Sequence, residues 1–346
     1  MHSDNHNELK KYNTFSLDAK AKAIYSATSV EELLMLWKNA RLKGWPILLL
    51  GGGSNVLFIS DFDGLVILNR ITALEIIESP KEWFIHVGAG NNWHQLVETL
   101  IKNGIYGLEN MALIPGSVGA APIQNIGAYG MEFKDACHYV DIVYLNNGQQ
   151  YRLDAAECQF GYRDSIFKHI YRENFAIVAV GLKLNKLWQP RLTYAGLTSL
   201  AAQTVTAETI FDAVCKIRQS KLPDPFFVGN AGSFFKNPVI SSMVANEIKA
   251  HYPRCSEYPQ IDGTVKLAAG WLIDQCDLKG YQCGGAAVHK EQALILINKN
   301  NATGEDIVDL ARYIRKKVIE KFAITLEPEV RFIGKYGEVN AMDAIS

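Results

Sequence analysis

The chain has 346 residues, a length that predicts two or three domains rather than one core. Hydrophobic residues make up 48% of it and charged residues 21%, which is typical of a folded globular protein and argues against extended disorder. The formal net charge of -1 argues against a nucleic-acid-binding protein, because phosphate contacts need a basic surface.

Cysteine spacing and hydropathy indicate the cellular compartment in which the protein works. The six cysteines contain no C-x-x-C pair, so the spacing favours neither a zinc site nor a disulfide framework and indicates a reducing compartment. The N-terminus, M-H-S-D-N-H-N-E-L-K-K, is polar and has no apolar signal segment. No apolar run approaches the roughly 20 residues that cross a bilayer. We expect a cytoplasmic protein without a membrane partner.

The first half of the chain alternates helix and strand patterns. Residues 30–44 have helical apolar spacing and end on Gly44. The next segment, P-I-L-L-L-G-G-G-S-N-V-L-F-I, predicts a buried strand, a glycine turn and a second strand. Two further strands, G-L-V-I-L-N and W-F-I-H-V-G-A-G, precede a helix that begins at Trp93. Residues 139–184 are mostly strand-like, with a turn at 146–148.

The second half begins with a helix over 207–219, which the segment K-L-P-D-P stops. A helix over 240–251 and a proline-containing stretch follow. Strand A-L-I-L-I-N, a long helix over 304–321 and the closing strand T-L-E-P-E-V-R-F-I-G complete the chain. The pattern predicts an α+β protein with a domain boundary at Pro223 and Pro225.

A run of three glycines follows the first predicted strand. In G-G-G-S-N at 51–55, a backbone without side chains allows close approach of a ligand, and turned N–H groups can receive a phosphate. The run is no P-loop, because Gly-Lys-Ser/Thr is missing, and no Rossmann fingerprint, because a strand follows. A plain hairpin turn is the alternative interpretation.

The segment I-P-G-S-V-G-A-A-P-I-Q-N-I-G-A-Y-G at 114–130 is poor in helix and strand formers. Gln124 and Asn125 are its only strong amide groups. Such a segment suits a loop that lies against a large flat ligand and meets polar edges with backbone groups. A structural loop is the alternative.

Two charged motifs are candidate functional residues. In G-Y-R-D-S, Arg163 offers a guanidinium fork to a carboxylate or phosphate, with a surface ion pair as the alternative. In E-P-E-V-R-F, strand spacing puts Glu329 and Arg331 on one face and Val330 and Phe332 on the other. A solvated charged face is the alternative there.

The motif G-N-A-G-S-F-F-K-N-P combines polar and aromatic residues that suit a buried, wet pocket. No G-x-S-x-G elbow surrounds its Ser233, so we do not expect a nucleophile. The eight histidines show no H-E-x-x-H and no paired ligand spacing, so no metal site is expected.

These segments together closely resemble the UDP-N-acetylenolpyruvoylglucosamine reductase (MurB) family, flavoenzymes of bacterial peptidoglycan synthesis and cell-wall biogenesis. The resemblance covers essentially the whole chain and adds N-T-F at 13–15, K-L-P-D-P and A-A-G-W-L-I-D-Q to the motifs above. The segment Leu192-Thr193-Tyr194 resembles the tyrosine loop of type I members. Gly52 occupies a position that other members fill with glutamate or glycine.

The resemblance implies a fold and its division. We expect an α+β protein with a two-subdomain FAD-binding module of the vanillyl-alcohol-oxidase (PCMH) type and a substrate-binding domain. The implied subdomains are 1–71 and 72–222, and the strand after about 324 returns to the second. The substrate-binding domain is 223–323.

The resemblance also implies a reaction, that of UDP-N-acetylmuramate dehydrogenase. NADPH, the co-substrate, reduces non-covalently bound FAD and leaves. The reduced flavin then passes hydride to the terminal CH2 carbon of UDP-N-acetylglucosamine-enolpyruvate, and UDP-N-acetylmuramate is formed. Charge builds on the adjacent carbon and its carboxylate, so the protein must stabilise that charge and protonate the carbon.

Residue roles are carried over from the family position by position. Catalysis is implied for Arg163, which grips the carboxylate, for Ser233, the general acid, and for Glu329. Substrate contacts are implied for Tyr194, Lys221, Asn237 and Gln292. FAD contacts are implied for Gly51, Gly52, Gly53, Ser54, Asn55, Ile114, Pro115, Gly116, Ser117, Ile123, Gln124, Asn125, Gly127, Ala128, Arg218 and Arg331.

Two other classes stay open. The same flavin module serves oxidases that pass electrons to oxygen and often link FAD covalently through histidine. A flavin carrier or a UDP-sugar-binding protein without catalysis is the third possibility. The set of Arg163, Ser233 and Glu329 favours the reductase, because a binding protein has no need of it. We expect a monomer.

Overall fold

The computed structural model describes residues 7–194, 196–202 and 204–346. Its α-helices are α1 (Val30–Leu42), α2 (Trp93–Lys102), α3 (Ala207–Lys221), α4 (Ser242–His251), α5 (Ala269–Gln275), α6 (Gly304–Phe322) and α7 (Ala341–Ala344). Single turns of 3-10 helix cover Lys10–Tyr12, Glu109–Met111, Val118–Ala120, Phe133–Asp135, Ile166–Lys168 and Thr198–Ala202.

The strands are mostly short. They are β1 (Ala21–Ala27), β2 (Ile47–Leu50), β3 (Val56–Phe58), β4 (Phe62–Asn69), β5 (Leu74–Glu78), β6 (Glu82–Gly88), β7 (Gly127–Ala128), β8 (Met131–Glu132), β9 (Cys137–Tyr144), β10 (Gln150–Asp154), β11 (Phe175–Asn185), β12 (Asn230–Ser233), β13 (Val239–Ile240), β14 (Glu257–Pro259), β15 (Val265–Leu267), β16 (Gln282–Cys283), β17 (Ala286–Val288), β18 (Ile295–Asn298), β19 (Arg331–Gly334) and β20 (Gly337–Val339).

The chain forms two compact units. The first contains residues 22–53 and 64–220, and the second contains residues 8–21, 54–63 and 221–346. The break at 220/221 lies beside the prolines that suggested a boundary. The finer division into 1–71, 72–222 and 223–323 stays a prediction.

The first unit contains two main sheets and the two-stranded pair of β7 and β8. In the smaller, of order β1-β4-β2, β2 and β4 pair in parallel, and α1 packs its Leu33 and Leu36 with Leu65 and Ile67. The larger is antiparallel, of order β10-β9-β11-β6-β5, and α2 buries Trp93 in the core beside it. Both helices begin with a side-chain cap, because Ser29 accepts from the Glu32 N–H and Asn92 accepts from the Gln95 N–H.

The second unit has a four-stranded sheet of order β12-β18-β17-β16, whose core includes buried side chains of α5 and α6. Helix α6 starts with a capping box between Thr303 and Asp306. Two three-stranded sheets, β13-β15-β14 and β20-β19-β3, complete the unit.

The last strand corrects one expectation. β19 pairs in parallel with β3, Phe332 opposite Leu57, and β3 lies within segment 1–71. The returning strand was expected on residues 72–222. It is also shorter than predicted and begins at Arg331, since Pro328 has no N–H to donate and forms only an isolated bridge with Phe235. The predicted alternation is nevertheless confirmed, because Val330 and Phe332 are buried while Glu329 and Arg331 are half-buried.

Other differences are local. Helix α4 begins at Ser242, two residues late, because the Ser241 side chain caps it and β13 precedes it. The stretch after α4 contains β14, and the exposed edge strand β5 was not predicted.

Candidate active site

The glycine turn that follows β2 packs against the segment 114–117. A Cβ atom on Gly51 would lie 2.2 Å from Ser117 Oγ, and one on Gly52 would lie 3.0 Å from Gly116 Cα. Gly53 and Gly116 have φ angles of +63° and +118°, which glycine adopts without strain. A larger residue at Gly51 or Gly52 would therefore push the two turns apart, and the FAD contacts of these glycines stay a prediction.

The segment 123–128 and the motif 161–165 are tied together. Ser165 Oγ donates to the Ile123 carbonyl at 2.7 Å, and Arg163 Nη2 donates to the Gly127 carbonyl at 3.1 Å. Asn125 Nδ2 donates to the Gly161 carbonyl at 2.9 Å. Two motifs that the sequence suggested separately thus form one local structure.

Asn125 is fully buried, and protein atoms occupy its side chain. Besides Gly161, its Nδ2 donates to Glu132 Oε2 at 3.0 Å, and its Oδ1 accepts from the Lys134 N–H at 2.9 Å. The amide therefore shapes the loop. The FAD contact of Asn125 stays a prediction.

Arg163 has a left-handed backbone, with φ of +53°. Such a conformation costs a non-glycine residue of the order of 1 kcal/mol or more, so the surrounding contacts must hold it. The Lys168 ammonium donates to the Arg163 carbonyl at 2.8 Å, and the ring of His169 pairs with Asp164 at 2.9 Å. Strained backbone held by several bonds is typical of functional sites.

Arg218, on α3, shares a side-chain hydrogen bond with Tyr129, and among the described residues its buried Nε has no partner. Burial lowers the pKa of the Arg218 guanidinium, and the neighbouring Tyr129 and Cys215 act in the opposite direction. Burial also raises the pKa of the Tyr129 phenol. The Tyr194 ring meets the Tyr129 ring edge-on, with centroids 4.8 Å apart. Tyr129 is a residue that sequence reasoning did not assign, and its place in the 114–130 motif was the available signal.

The second unit holds Ser233 and Glu329 on adjacent segments. The Glu329 N–H donates to the carbonyl of Phe234 at 2.8 Å, and the Lys236 N–H donates to that of Glu327 at 2.9 Å. Phe234 and Phe235 are fully buried, whereas Ser233 is exposed. The apolar part of the motif therefore anchors a hydroxyl that remains accessible.

Asn55 connects the end of the glycine run to the Glu329 segment. Its Nδ2 donates to the Glu329 carbonyl at 3.1 Å, and its own carbonyl accepts from the Arg331 N–H at 3.1 Å. The Arg331 guanidinium pairs with Glu338 on the neighbouring strand. The structure thus brings Asn55 to Glu329 and Arg331, although more than 270 residues separate it from them in the sequence.

The three predicted substrate residues of the second unit occupy different surroundings. Lys221 is exposed at the end of α3. The Oδ1 atom of Asn237 accepts from the Ala269 N–H at 2.9 Å, at the start of α5. The backbone of Gln292 donates to His289 Nδ1 at 3.3 Å.

Within the described ranges, no group of three or more His, Cys, Asp or Glu side chains is placed to hold a metal ion. In the same ranges, every helix is too short or too polar to cross a membrane.

Comparison with known proteins assigns the family. Residues 224–333 match the profile described as "UDP-N-acetylenolpyruvoylglucosamine reductase, C-terminal domain", and residues 21–154 match "FAD binding domain". A UDP-N-acetylenolpyruvoylglucosamine reductase of Escherichia coli O6:H1 is 59% identical over 98% of this chain and 99% of its own length. The chain belongs to the UDP-N-acetylenolpyruvoylglucosamine reductase family.

Further relatives agree. The reductase of Photorhabdus laumondii is also 59% identical over 98% of this chain and 99% of its own. The crystal structure of the reductase (MurB) from Thermus caldophilus is similar with a TM-score of 0.66 and 25% identity, over 94% of this chain and 97% of that one. The predicted family, the α+β class and the FAD-binding module are confirmed. The roles of individual residues stay predictions.

Proposed function

We propose that this chain reduces the enolpyruvyl ether of UDP-N-acetylglucosamine-enolpyruvate to UDP-N-acetylmuramate, with NADPH as reductant and non-covalent FAD as cofactor. The observation that carries the proposal is 59% identity over 98% of the chain to reductases of that name, joined to the matched FAD-binding domain. Activity and cofactor are those predicted from the sequence, and family membership confirms them.

The residues present fit FAD. The side-chain-free turns at 51–53 and 116 offer backbone to an extended ligand, and the buried Nε of Arg218 is a donor without a partner among the described residues. When bound, FAD carries the hydride from NADPH to the enolpyruvyl carbon. We propose that the backbone of residues 51–55 holds its pyrophosphate and that residues 114–128 lie along its ring.

Arg163 is proposed to bind the substrate carboxylate. Its planar fork suits two oxygens that share one charge. During the reaction, the carbon next to that carboxylate gains negative charge, so a guanidinium there stabilises the transition state more than the bound substrate. The bonds from Lys168 and to Gly127 support a fixed orientation for this group.

Ser233 is proposed to donate the proton. Its O–H bond breaks, a C–H bond forms at the substrate carbon beside the carboxylate, and water returns a proton to the serine oxygen. One hydride from NADPH and one proton from solvent are consumed for each product molecule, and NADP+ leaves. The exposure of Ser233 supports both contact with substrate and reprotonation.

Glu329 is proposed to act at the same carbon. A second carboxylate near a developing anion is useful only when it is protonated or linked through a hydrogen-bond donor, since two like charges at close range repel each other. Tyr194, Lys221, Asn237 and Gln292 are proposed to contact the UDP part of the substrate. The other named FAD residues stay proposals of the same kind.

The state of the protein in the cell is also a proposal. We propose a cytoplasmic monomer without nucleic-acid or membrane partners. The charge of -1 and the six cysteines, all free thiols in the structure, support it. A single sedimentation species at the mass of one chain, with and without DNA or lipid vesicles, is the expected result.

The replacement Ser233→Ala tests the reaction assignment. The variant should bind FAD and substrate and accept hydride from NADPH at the normal rate. Oxidation of the reduced enzyme by the enolpyruvyl substrate should fall by about 10²–10⁴-fold, because a general acid has been removed. Ser233→Cys, with a more acidic hydrogen, should recover part of that rate.

Stopped-flow measurement of the two half-reactions distinguishes the outcomes. Slowing of flavin reduction alone would make Ser233 a nicotinamide or packing contact. Rapid peroxide formation by NADPH and oxygen without the enolpyruvyl substrate would instead favour the oxidase alternative.

A further inference from the structure

Ser233 lies at the end of an irregular strand pairing. Asn230 is opposite Ile297 and Ser233 is opposite Ile295, so β12 advances three residues while β18 advances two. The extra residue makes this a β-bulge, a feature that bends a strand and re-aims the side chain that follows. Gly232 occupies the bulge with φ of +70°.

Asn230 is buried at 2% exposure, and three hydrogen bonds use its side chain. Its Oδ1 accepts from the Gly232 N–H at 2.8 Å, and its Nδ2 donates to the carbonyls of Pro223 and Val228 at 3.0 and 2.8 Å. The bond to the second residue along the chain is an Asx-turn, which fixes a tight turn through the side chain.

Backbone contacts fix the position of Asn230 itself. Its N–H donates to the Thr14 carbonyl at 2.9 Å, and the Gly229 carbonyl accepts from the Asn298 N–H at 2.8 Å. A Cβ atom on Gly229 would lie 2.2 Å from the Phe15 carbonyl oxygen, so glycine is required for this close approach. The Asx-turn therefore starts from a residue whose backbone is hydrogen-bonded to a separate segment.

We infer that Asn230 is a positioning residue for Ser233: its amide holds the bulge at Gly232 and thereby fixes the direction of the Ser233 hydroxyl. This inference rests on the proposed role of Ser233 as proton donor. Without the Oδ1 acceptor, glycine at the bulge is free to take other backbone conformations. Displacement of a reacting group by about 1 Å can lower a rate by about 10²-fold.

The test compares Asn230→Ala with Asn230→Ser. The two side chains are similar in size, but serine can accept from the Gly232 N–H in a weaker turn of the same kind. Asn230→Ala should slow oxidation of the reduced enzyme by the enolpyruvyl substrate by about 10–100-fold. Asn230→Ser should regain a measurable part of that loss. Reduction by NADPH and the dissociation constant of the substrate should change less than threefold in both.

A second buried asparagine provides the control. Asn13 is 4% exposed, its Nδ2 donates to the carbonyls of Leu9 and Leu17, and its Oδ1 accepts from the Leu17 N–H. Asn13→Ala therefore removes the same number of bonds from the same unit, beside Thr14, whose carbonyl accepts from the Asn230 N–H, but it leaves the Asn230 amide and its bond to Gly232 intact. Urea unfolding should show similar destabilisation of both alanine variants, but the oxidative half-reaction of Asn13→Ala should stay near normal.

The double variant Ser233→Ala/Asn230→Ala separates this inference from the proposed function. Once the hydroxyl is absent, Asn230→Ala should cause no further slowing, because the effects of residues that act as a unit are not additive. If the rate losses of the two single variants add in the double variant, the inference is overturned. It is also overturned if Asn13→Ala slows the oxidative half-reaction as much as Asn230→Ala does. A normal oxidative rate for Ser233→Ala alone would instead overturn the role of Ser233. If Asn230→Ala does not fold, the same test for additivity uses Asn230→Ser, Ser233→Ala and the double variant Ser233→Ala/Asn230→Ser.

Discussion

At the scale of single residues, buried amides determine the shape of the loops in this protein. Asn110 is 1% exposed and donates from Nδ2 to the carbonyls of Tyr129 and Arg191. Asn125 likewise bonds to backbone groups of residues 134 and 161, and Asn230 bonds to backbone groups within residues 223–232. Removing one such partner leaves buried groups unsatisfied at about 1–3 kcal/mol each. We therefore interpret these amides as supports for neighbouring functional groups.

The hydroxyl of Tyr194 can be tested separately from its ring. We predict that Tyr194 belongs to a mobile loop that closes over the substrate diphosphate. Tyr194→Phe keeps the ring that meets Tyr129 and removes only the hydroxyl. The variant should raise KM more than it lowers kcat, since a diphosphate contact is equal in ground and transition states. Tyr151→Phe, at a similarly exposed tyrosine, is the control. An unchanged KM for Tyr194→Phe would remove this role.

At the scale of elements, the five-stranded sheet depends on a glycine that makes room for a ring. Gly181 on β11 lies opposite Tyr139 on β9. The Tyr139 hydroxyl bonds to His86 Nδ1 at 2.8 Å, and the Arg152 guanidinium lies 3.6 Å from the ring centroid. The ring is therefore held on two sides and covers the glycine.

Gly181→Ala should destabilise the first unit. The new Cβ would lie 2.3 to 2.5 Å from three atoms of the Tyr139 ring, which cannot move without loss of its contacts. Overpacking of this kind costs about 1–3 kcal/mol in the free energy of unfolding. Gly270→Ala is the control, since its nearest neighbour would be Leu294 Cβ at 3.4 Å and helix α5 favours alanine. Equal urea midpoints for the two variants would contradict the prediction.

At the scale of the whole molecule, burial raises the pKa values of thiols in both units. The hydrogen bond that the Cys137 thiol donates to Cys158, together with burial, raises the pKa of Cys137. Burial also raises the pKa values of the thiols of Cys215, Cys255, Cys276 and Cys283. The unfolded chain therefore loses thiol protons near pH 8.5, while the folded chain still holds them.

The difference in thiol pKa between the folded and the unfolded chain predicts a lower free energy of unfolding at alkaline pH. Where the folded state binds more protons than the unfolded state, the free energy of unfolding falls as pH rises. The contribution of the thiols is complete below about pH 8.5 and is lost as pH approaches their folded pKa values. Urea unfolding with a reductant should give a lower midpoint at pH 9.5 than at pH 7.5, and Cys137→Ala should reduce the difference. A midpoint that rises with pH would contradict this.

The attachment of the cofactor is a second property of the whole chain. We predict that FAD is bound without a covalent bond, because glycine-rich turns and backbone groups are proposed to hold it. Acid precipitation should release all yellow colour into the supernatant. Colour retained in the pellet would show a covalent link and would favour the oxidase alternative.

The long elements could be predicted from the sequence, since their signals are local. The apolar spacing and caps of α1, α2 and α6 lie within each segment, and the predicted ends differ from the structure by about two residues. Strands β5, β13 and β14 escaped prediction. β5 has five exposed residues, and β13 and β14 have two and three residues, so hydrophobic alternation gives no signal.

The sequence by itself determined the family, the cofactor and the identity of the proposed catalytic side chains, because these depend on residue types in a fixed order. Tertiary structure decided where the groups lie. Only it pairs β19 with β3, joins Asn55 to Glu329, lays 161–165 against 123–127 and pairs β12 with β18 through the bulge that precedes Ser233. The physical reason is that hydrogen bonds between segments tens to hundreds of residues apart depend on how the whole chain packs, and no local spacing of side chains records them.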